Sequence, residues 1–378
     1  KRNRKHLGSA QIPLIMHIMK TPHEFSFNEI ESPQTTDLDV FDPEPVDEDD
    51  LWFLPGPDHA TRDAAHDLPL PRADQRPLVD VAAWAQAEGE LARPMTDLGL
   101  CLGGLDARLA AWPDEWCQRL ALHEAADLSW LAGDRIPMER LALWLTLRLA
   151  GDTDDAQALA RAGWAARRLR TTMHPADDLA EFLGRQSEGG QERLAHQVAD
   201  WSEVMGQAQE LHPITQAALS FHIWPITGLS AAGGVALPMM EAAVVAARHG
   251  VRSVAGAPFL PLALGGAGGL RSGGTPSDRL ARWITGATHA TRAALRTLDR
   301  LHTWEADART ACAELSGRTP PQLITVLRDW PLVSAPMAEA QIDASRAAIQ
   351  RNLNWMTQAG IIREVTGQGR YRFWAAVL

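Results

Sequence analysis

The sequence predicts a mostly α-helical chain, a helical bundle followed by a carboxyl-terminal winged helix-turn-helix with a small β-hairpin. Three observations carry that expectation. Alanine- and leucine-rich stretches with apolar spacing near 3.6 residues run through the middle of the chain. Fourteen Trp stand against one Tyr and eight Phe, so the large side chains are not those of strand-rich proteins. The last sixty or so residues read as three short helices and then a Gly-centred turn between two apolar stretches.

At 378 residues, the chain is long enough for two domains and a substantial core. With 46% hydrophobic and 22% charged residues, it has the composition of a folded globular protein. No run of eighteen apolar residues appears, so no membrane partner is expected, and the expected location is the cytoplasm. Cys101, Cys117 and Cys312 have no metal-ligand spacing and read as reduced thiols in a core. The net charge of −11 argues against indiscriminate wrapping of nucleic acid, yet it leaves room for a local basic patch.

Residues 1–75 are read as a leader, an acidic tail and a linker. The opening KRNRKHLGSAQIPLIMHIM mimics a signal peptide only in outline, because His17 interrupts the apolar run and no small-residue cleavage site follows. A disordered leader, or translation from Met16 or Met19, is the expectation. Residues 21–50 carry eleven Asp or Glu and no Lys or Arg, the composition of a disordered acidic tail. FDPEPVDEDD, LPGPDH and LPLPR mark an extended Pro-rich linker to about residue 77, with LWFLP (51–55) docking on the domain.

The helical domain is expected over 76–315. Spacing of Leu, Ala and Trp predicts helices at 79–91, 96–111 and 114–131, the third entered at Pro113. Two more follow at 136–151 and 152–170, joined at Gly151, with Asp152 or Thr153 as cap and Asp152, Asp154 and Asp155 favouring the helix amino terminus. The pattern continues at 175–183 and 192–210. His212-Pro213 starts a helix through ITQAALSFHIW, and LPMMEAAVVAARHG makes another after a Gly-rich break. Residues 255–276 form a loop whose glycines lack the Gly-Lys-Ser/Thr of a phosphate loop, so a flexible or close-packed connection is expected. A long helix then spans 277–315. Trp130, Trp144 and Trp164 read as core residues, and Arg161, Arg167, Arg168 and Arg170 as a solvated face. His123, Glu124, His222 and His249 do not repeat at metal-ligand spacing, so neither a metal nor a catalytic role is assigned, and no cofactor is implied.

The final module is expected over 316–378. SGRTPPQL opens it, and a first helix at 322–330 turns Leu323, Val326 and Leu327 inward. A second, at about 335–340, is capped by Ser334. The third, 345–359, has a buried stripe of Ile349, Leu353 and Met356. Arg346, Gln350 and Asn354 fall on its opposite face with Arg351 beside them and Ser345 at its start; these side-chain types read base edges and phosphates. Gly360 ends the helix. Residues 361–374 form a two-stranded hairpin turning at Gly367-Gln368-Gly369, with Ile362, Val365 and Tyr371 in one set and Arg363, Arg370 and Arg372 open to water. Gln368 joins the candidate contacts at the turn. Residues 318–378 hold seven Arg and four acids, a net +3, so the rest of the chain sums to −14. The expected partner is double-stranded DNA, bound by a homodimer because half-sites repeat by symmetry; the sequence names no small-molecule effector. The competing expectation is an interaction protein whose winged helix docks another protein.

GIIREVTGQGRYRFW, with SGRTPPQLITVLRDWPLVSAPMAEA ahead of it, resembles an uncharacterised winged-helix family of alphaproteobacteria, often plasmid-borne. The likeness extends back through HEAADLSWLAGDRIPMERLALWLTLRLAG and implies DNA binding through the terminal module. More distantly, the order of segments resembles Fic-type AMP-transferring proteins. EAADLSWLAGD (124–134) stands where these carry an inhibitory Ser/Thr-x-x-x-Glu-Gly helix, and HPITQAALSFHIWPITGLSAAGG (212–234) where they carry the active-site segment. Trp224-Pro225-Ile226 replaces the family's His-Pro-Phe, Thr227–Gly233 lacks its acidic residue, Asn and Arg, and Leu128 and Ala132 replace the inhibitory pair. The resemblance therefore implies a scaffold without transferase chemistry.

Overall fold

A computed structural model describes residues 79–378 apart from 113, 148–152, 186–190, 231–235, 252–255, 267 and 368–371. All of these belong to one compact unit, residues 71–378. The leader, the acidic tail, the linker and LWFLP lie outside the described residues, as do Asp152 and the Gln368–Tyr371 part of the hairpin.

Thirteen α-helices and three short strands make up the described fold. The first helix, α1 (Val81–Glu90), starts at Asp80, whose carboxylate accepts the Ala82 and Ala83 amides. A single turn residue, Leu91, separates it from α2 (Ala92–Ala110). That helix starts before Pro94 rather than after it, because a first-turn residue has no intrahelical N–H bond to lose. Next come α3 (Asp114–Ala132), α4 (Met138–Leu147) and α5 (Thr153–Arg168). The helix expected over 175–183 shrinks to α6 (Leu179–Leu183), capped by Asp178. Then follow α7 (Gln191–Gln207), α8 (Pro213–Thr227) and α9 (Ala236–His249). Pro225 lies in the last turn of α8, which runs past Trp224 to Gly228 at φ +64°.

The core joins all of these helices to α10 (Pro276–Ala311), a 36-residue helix started by a reciprocal cap between Thr275 and Asp278. It packs on α1, α2, α8 and the short turn at 268–270. There Gly286 and Gly269 touch backbone to backbone; a Cβ on Gly286 would stand 2.5 Å from the Gly269 Cα. The glycine-rich loop is thus a close-packed connection, with Phe259, Leu260, Leu262, Ala263 and Leu264 all buried. Glu124, fully buried on α3, accepts the amides of Leu262, Ala263 and Leu264 at 2.7, 2.9 and 3.1 Å. Burial pushes its carboxyl up to about 7, against the opposing pull of those three amides.

Several expectations are corrected. Trp130 is 55% exposed rather than core, since its side of α3 is left uncovered, whereas Trp144 and Trp164 pack half-buried on the core. Arg161 is no solvated cation: its Nε and Nη2 hold both oxygens of Asp134 at 2.8 and 2.7 Å. The three thiols are free, but only Cys312 is buried.

The carboxyl-terminal module comprises α11 (Thr319–Asp329), β1 (Val333–Ser334), α12 (Ala335–Gln341), α13 (Arg346–Gln358), β2 (Ile362–Glu364) and β3 (Phe373–Ala376). Its sheet has three strands in the order β1-β3-β2, all antiparallel, not the two expected. Val333 and Ser334 pair with Trp374 and Phe373, which joins the start of α12 to the hairpin. Val365, expected in the buried set, is 37% exposed, because β2 ends at Glu364.

Candidate nucleic-acid interface

The third helix of the module owes its position to caps and a stripe. Ser345 accepts the Ala348 amide, so its hydroxyl starts α13. The other end closes with Ile361 N–H on the Met356 carbonyl and Gly360 N–H on Thr357, with Gly360 at φ +73°. Ile349, Leu353 and Met356 are completely buried. At about 100° per residue, Arg346, Ala347, Gln350, Arg351, Asn354 and Gln358 fall on the opposite side. Gln350 is half-buried and the rest are exposed.

The partners of these side chains divide them. Arg346 forms an ion pair with Glu339 of α12, Nε to Oε2 at 2.6 Å. Arg372, between the wing tip and β3, donates to Glu364 at 2.7 Å and to the Asn354 Oδ1 at 3.2 Å, and its guanidinium lies 4.9 Å above the Trp374 ring. It therefore positions Asn354 while spending its own charge on Glu364. Arg351 and Arg363 are exposed. Their nearest sequence acids, Glu339 and Glu364, are already engaged by Arg346 and Arg372. Of the remaining candidates, Gln368 and Arg370 lie outside the described residues.

The module is bolted to the helical bundle. Arg119 of α3, almost fully buried, donates to the Leu327 and Arg328 carbonyls at 3.2 and 3.0 Å, satisfying the last turn of α11. Burial lowers its pKa to about 10, opposed by Asp329 and Glu139. Burial also works against the Arg328 charge, but Asp329 at 2.6 Å and Glu305 of α10 at 3.2 Å outweigh it and hold the guanidinium above its usual range. Trp304 of α10 donates to the Ile361 carbonyl just beyond α13. These bolts were missed in the sequence because each joins residues far apart in the chain; an Arg amid the apolar positions of a predicted helix, as at Arg119, was the available signal.

Three helices with the last exposed along one polar face, followed by a strand pair closed against a short first strand, define a winged helix-turn-helix. Consistent with this, residues 320–377 match the protein family described as HTH DNA binding domain. The carboxyl-terminal module is a helix-turn-helix DNA-binding domain. Comparison with curated proteins gave no match. Among the described residues no helix is long and apolar enough to cross a membrane, and no group of three His, Cys, Asp or Glu is placed to hold a metal ion.

Proposed function

We propose that this chain is a cytoplasmic transcription regulator that binds double-stranded DNA as a homodimer. The exposed face of α13 enters the major groove and the wing tip meets the backbone or minor groove. The observation that carries this reading is the row Arg346, Gln350, Arg351 and Asn354 set opposite a fully buried stripe, in a module matched to a DNA-binding family. Phosphate contacts come from the arginines; base-edge contacts come from Gln350 and Asn354.

The likeness to plasmid-borne alphaproteobacterial winged-helix proteins and the more distant one to Fic-type proteins belong to the same proposal. In it the bundle is a scaffold without transferase chemistry. Its support is that Trp224-Pro225-Ile226 lies within α8, where Trp224 is buried and donates to the Ser230 hydroxyl at 2.8 Å, instead of presenting a base and a phosphate-binding turn.

One observation favours a second reading, a protein-docking winged helix: Arg346 and Arg372 are both paired to Glu, which thins the positive field of the face. A mobility shift on the chain's own promoter fragment, with unrelated DNA as competitor, separates the two. Specific retention that weakens steeply with salt and is lost in an Arg346→Ala, Arg351→Ala double variant supports the DNA reading. Retention by the double variant sinks the assignment of α13, and no retention at moderate salt favours the docking surface.

A further inference from the structure

The bundle contains a cavity of about 610 Å³ far from the module in sequence, between the end of α7, the start of α8, the end of α9 and the turn at 173–176. Its volume is in the range that holds a small organic molecule. Three rings form its corner. The His174 and His249 imidazoles lie 5.1 Å apart, and the Trp201 indole stands edge-on to His249 at 6.0 Å. Trp201 and His249 are almost fully buried, so these walls are built into the core.

The polar groups are set as firmly. Gln216 donates through its amide nitrogen to the Gln209 and Leu211 carbonyls, which turns its oxygen toward the His249 Nε2 at 3.0 Å. The mouth lies at the carboxyl-terminal end of the 17-residue α7, where the helix dipole is negative, and Glu210 adds a carboxylate there. The lining includes neither Arg nor Lys. Flat aromatic walls select a planar ligand, and a negative mouth with no cationic lining selects a positive one.

We propose that this cavity is a binding site for a small planar aromatic amine, held flat against Trp201 and the two imidazoles with its ammonium group toward Glu210. The site does not depend on the DNA-binding reading, since no residue of 320–377 lines it.

The test is titration calorimetry of the full chain with tryptamine, with indole-3-acetate as the planar anion and cyclohexylamine as the non-planar cation. Tryptamine should bind at least about tenfold more tightly than either control. Gly206 supplies the blocking variant: it lines the cavity, and a Cβ there meets nothing within 4 Å. Gly206→Leu should therefore fill the site and abolish binding while the thermal midpoint holds or rises, because a helical Gly is replaced by a better helix former. Glu210→Gln, at an exposed position, should narrow the preference for tryptamine over indole-3-acetate. The proposal is overturned if tryptamine shows no binding up to about 1 mM, if its binding survives Gly206→Leu, or if the anion binds equally well.

Discussion

The loop 256–266 hangs on one carboxylate, and Glu124→Gln should reveal it through pH. The wild-type group accepts three backbone amides, two on one oxygen and one on the other, in a fully buried site. Burial raises its pKa from 4.5 to about 7. A carboxyl raised in the folded state gives its full stability below the unfolded pKa and loses it as pH climbs through the folded one. On that shift the loss is about 1 kcal/mol at pH ~5.5 and about 3 kcal/mol at pH ~8. Gln never ionises and escapes this cost. It instead turns an NH2 group on an amide that needs an acceptor, at about 1–3 kcal/mol regardless of pH. The stability difference between the two proteins should therefore move by about 2 kcal/mol in favour of the variant between pH ~5.5 and ~8. Urea unfolding followed by Trp fluorescence at several pH values measures it, and other titrating groups cancel in the comparison. A difference that stays constant, or moves the other way, would refute the reasoning, for it would mean that the three amides hold Glu124 ionised despite its burial.

Acid acts through histidines in the opposite sense. Burial, with Arg119 beside it, lowers His123 to about 4, and burial with Arg279 and Arg282 lowers His222 to about 3. Their contribution is present above about 6.5 and lost as pH falls below it, by about 2 kcal/mol each at pH ~5; His222→Phe should make the thermal midpoint less acid-sensitive, and an unchanged slope would contradict this. Arg119→Ala strips the last turn of α11 of its two carbonyl bonds and should cost about 3 kcal/mol. Hydrogen exchange over 319–330 should accelerate, and unaltered exchange would show that the bolt carries no stability. On DNA, Arg351→Ala should flatten the dependence of log affinity on log salt by about 0.9. Glu339→Gln should strengthen binding by releasing Arg346, an outcome excluded if affinity at low salt is unchanged. Arg363→Ala should weaken binding less than Arg351→Ala, and equal losses would contradict the placement of Arg363.

What could be read in advance follows from which forces are local. The stripe Ile349, Leu353, Met356 repeats with the helix and was legible, as were the Ser334 cap, which accepts the Met337 amide, and the glycine ending α13. β1 was not legible: two residues show no period, and their pairing partners lie in β3 at the far end of the module. Val365 was misassigned because strand alternation says nothing of where the strand stops. Trp130 was misassigned because helical spacing marks a face without saying whether anything covers it. The pairings of Arg346 with Glu339 and Arg372 with Glu364 decide how much free charge the candidate face carries. Both join separate elements, so composition counted those arginines as available when the fold had already engaged them.

The same sheet explains why the wing arginines differ. All four residues of β3 are buried, because the sheet is covered on both faces. Trp374 and Ala376 face the main core with Leu353 and Met356, while Phe373 and Ala375 pack with Leu332 and with Leu143 of α4. Residues opposite each other in an antiparallel pair share a face. Glu364 pairs with Trp374, and so lies on the α13 side, where Arg372 reaches it and Asn354. Arg363 pairs with Ala375, which puts it on the α4 side, across the sheet from the recognition helix. A duplex lying along α13 meets Arg351 directly, whereas Arg363 reaches it only around the edge of the wing. Docking the module on the bundle thus assigns one face of the wing to packing, and concentrates recognition on α13 and the side chains that Arg372 holds against it.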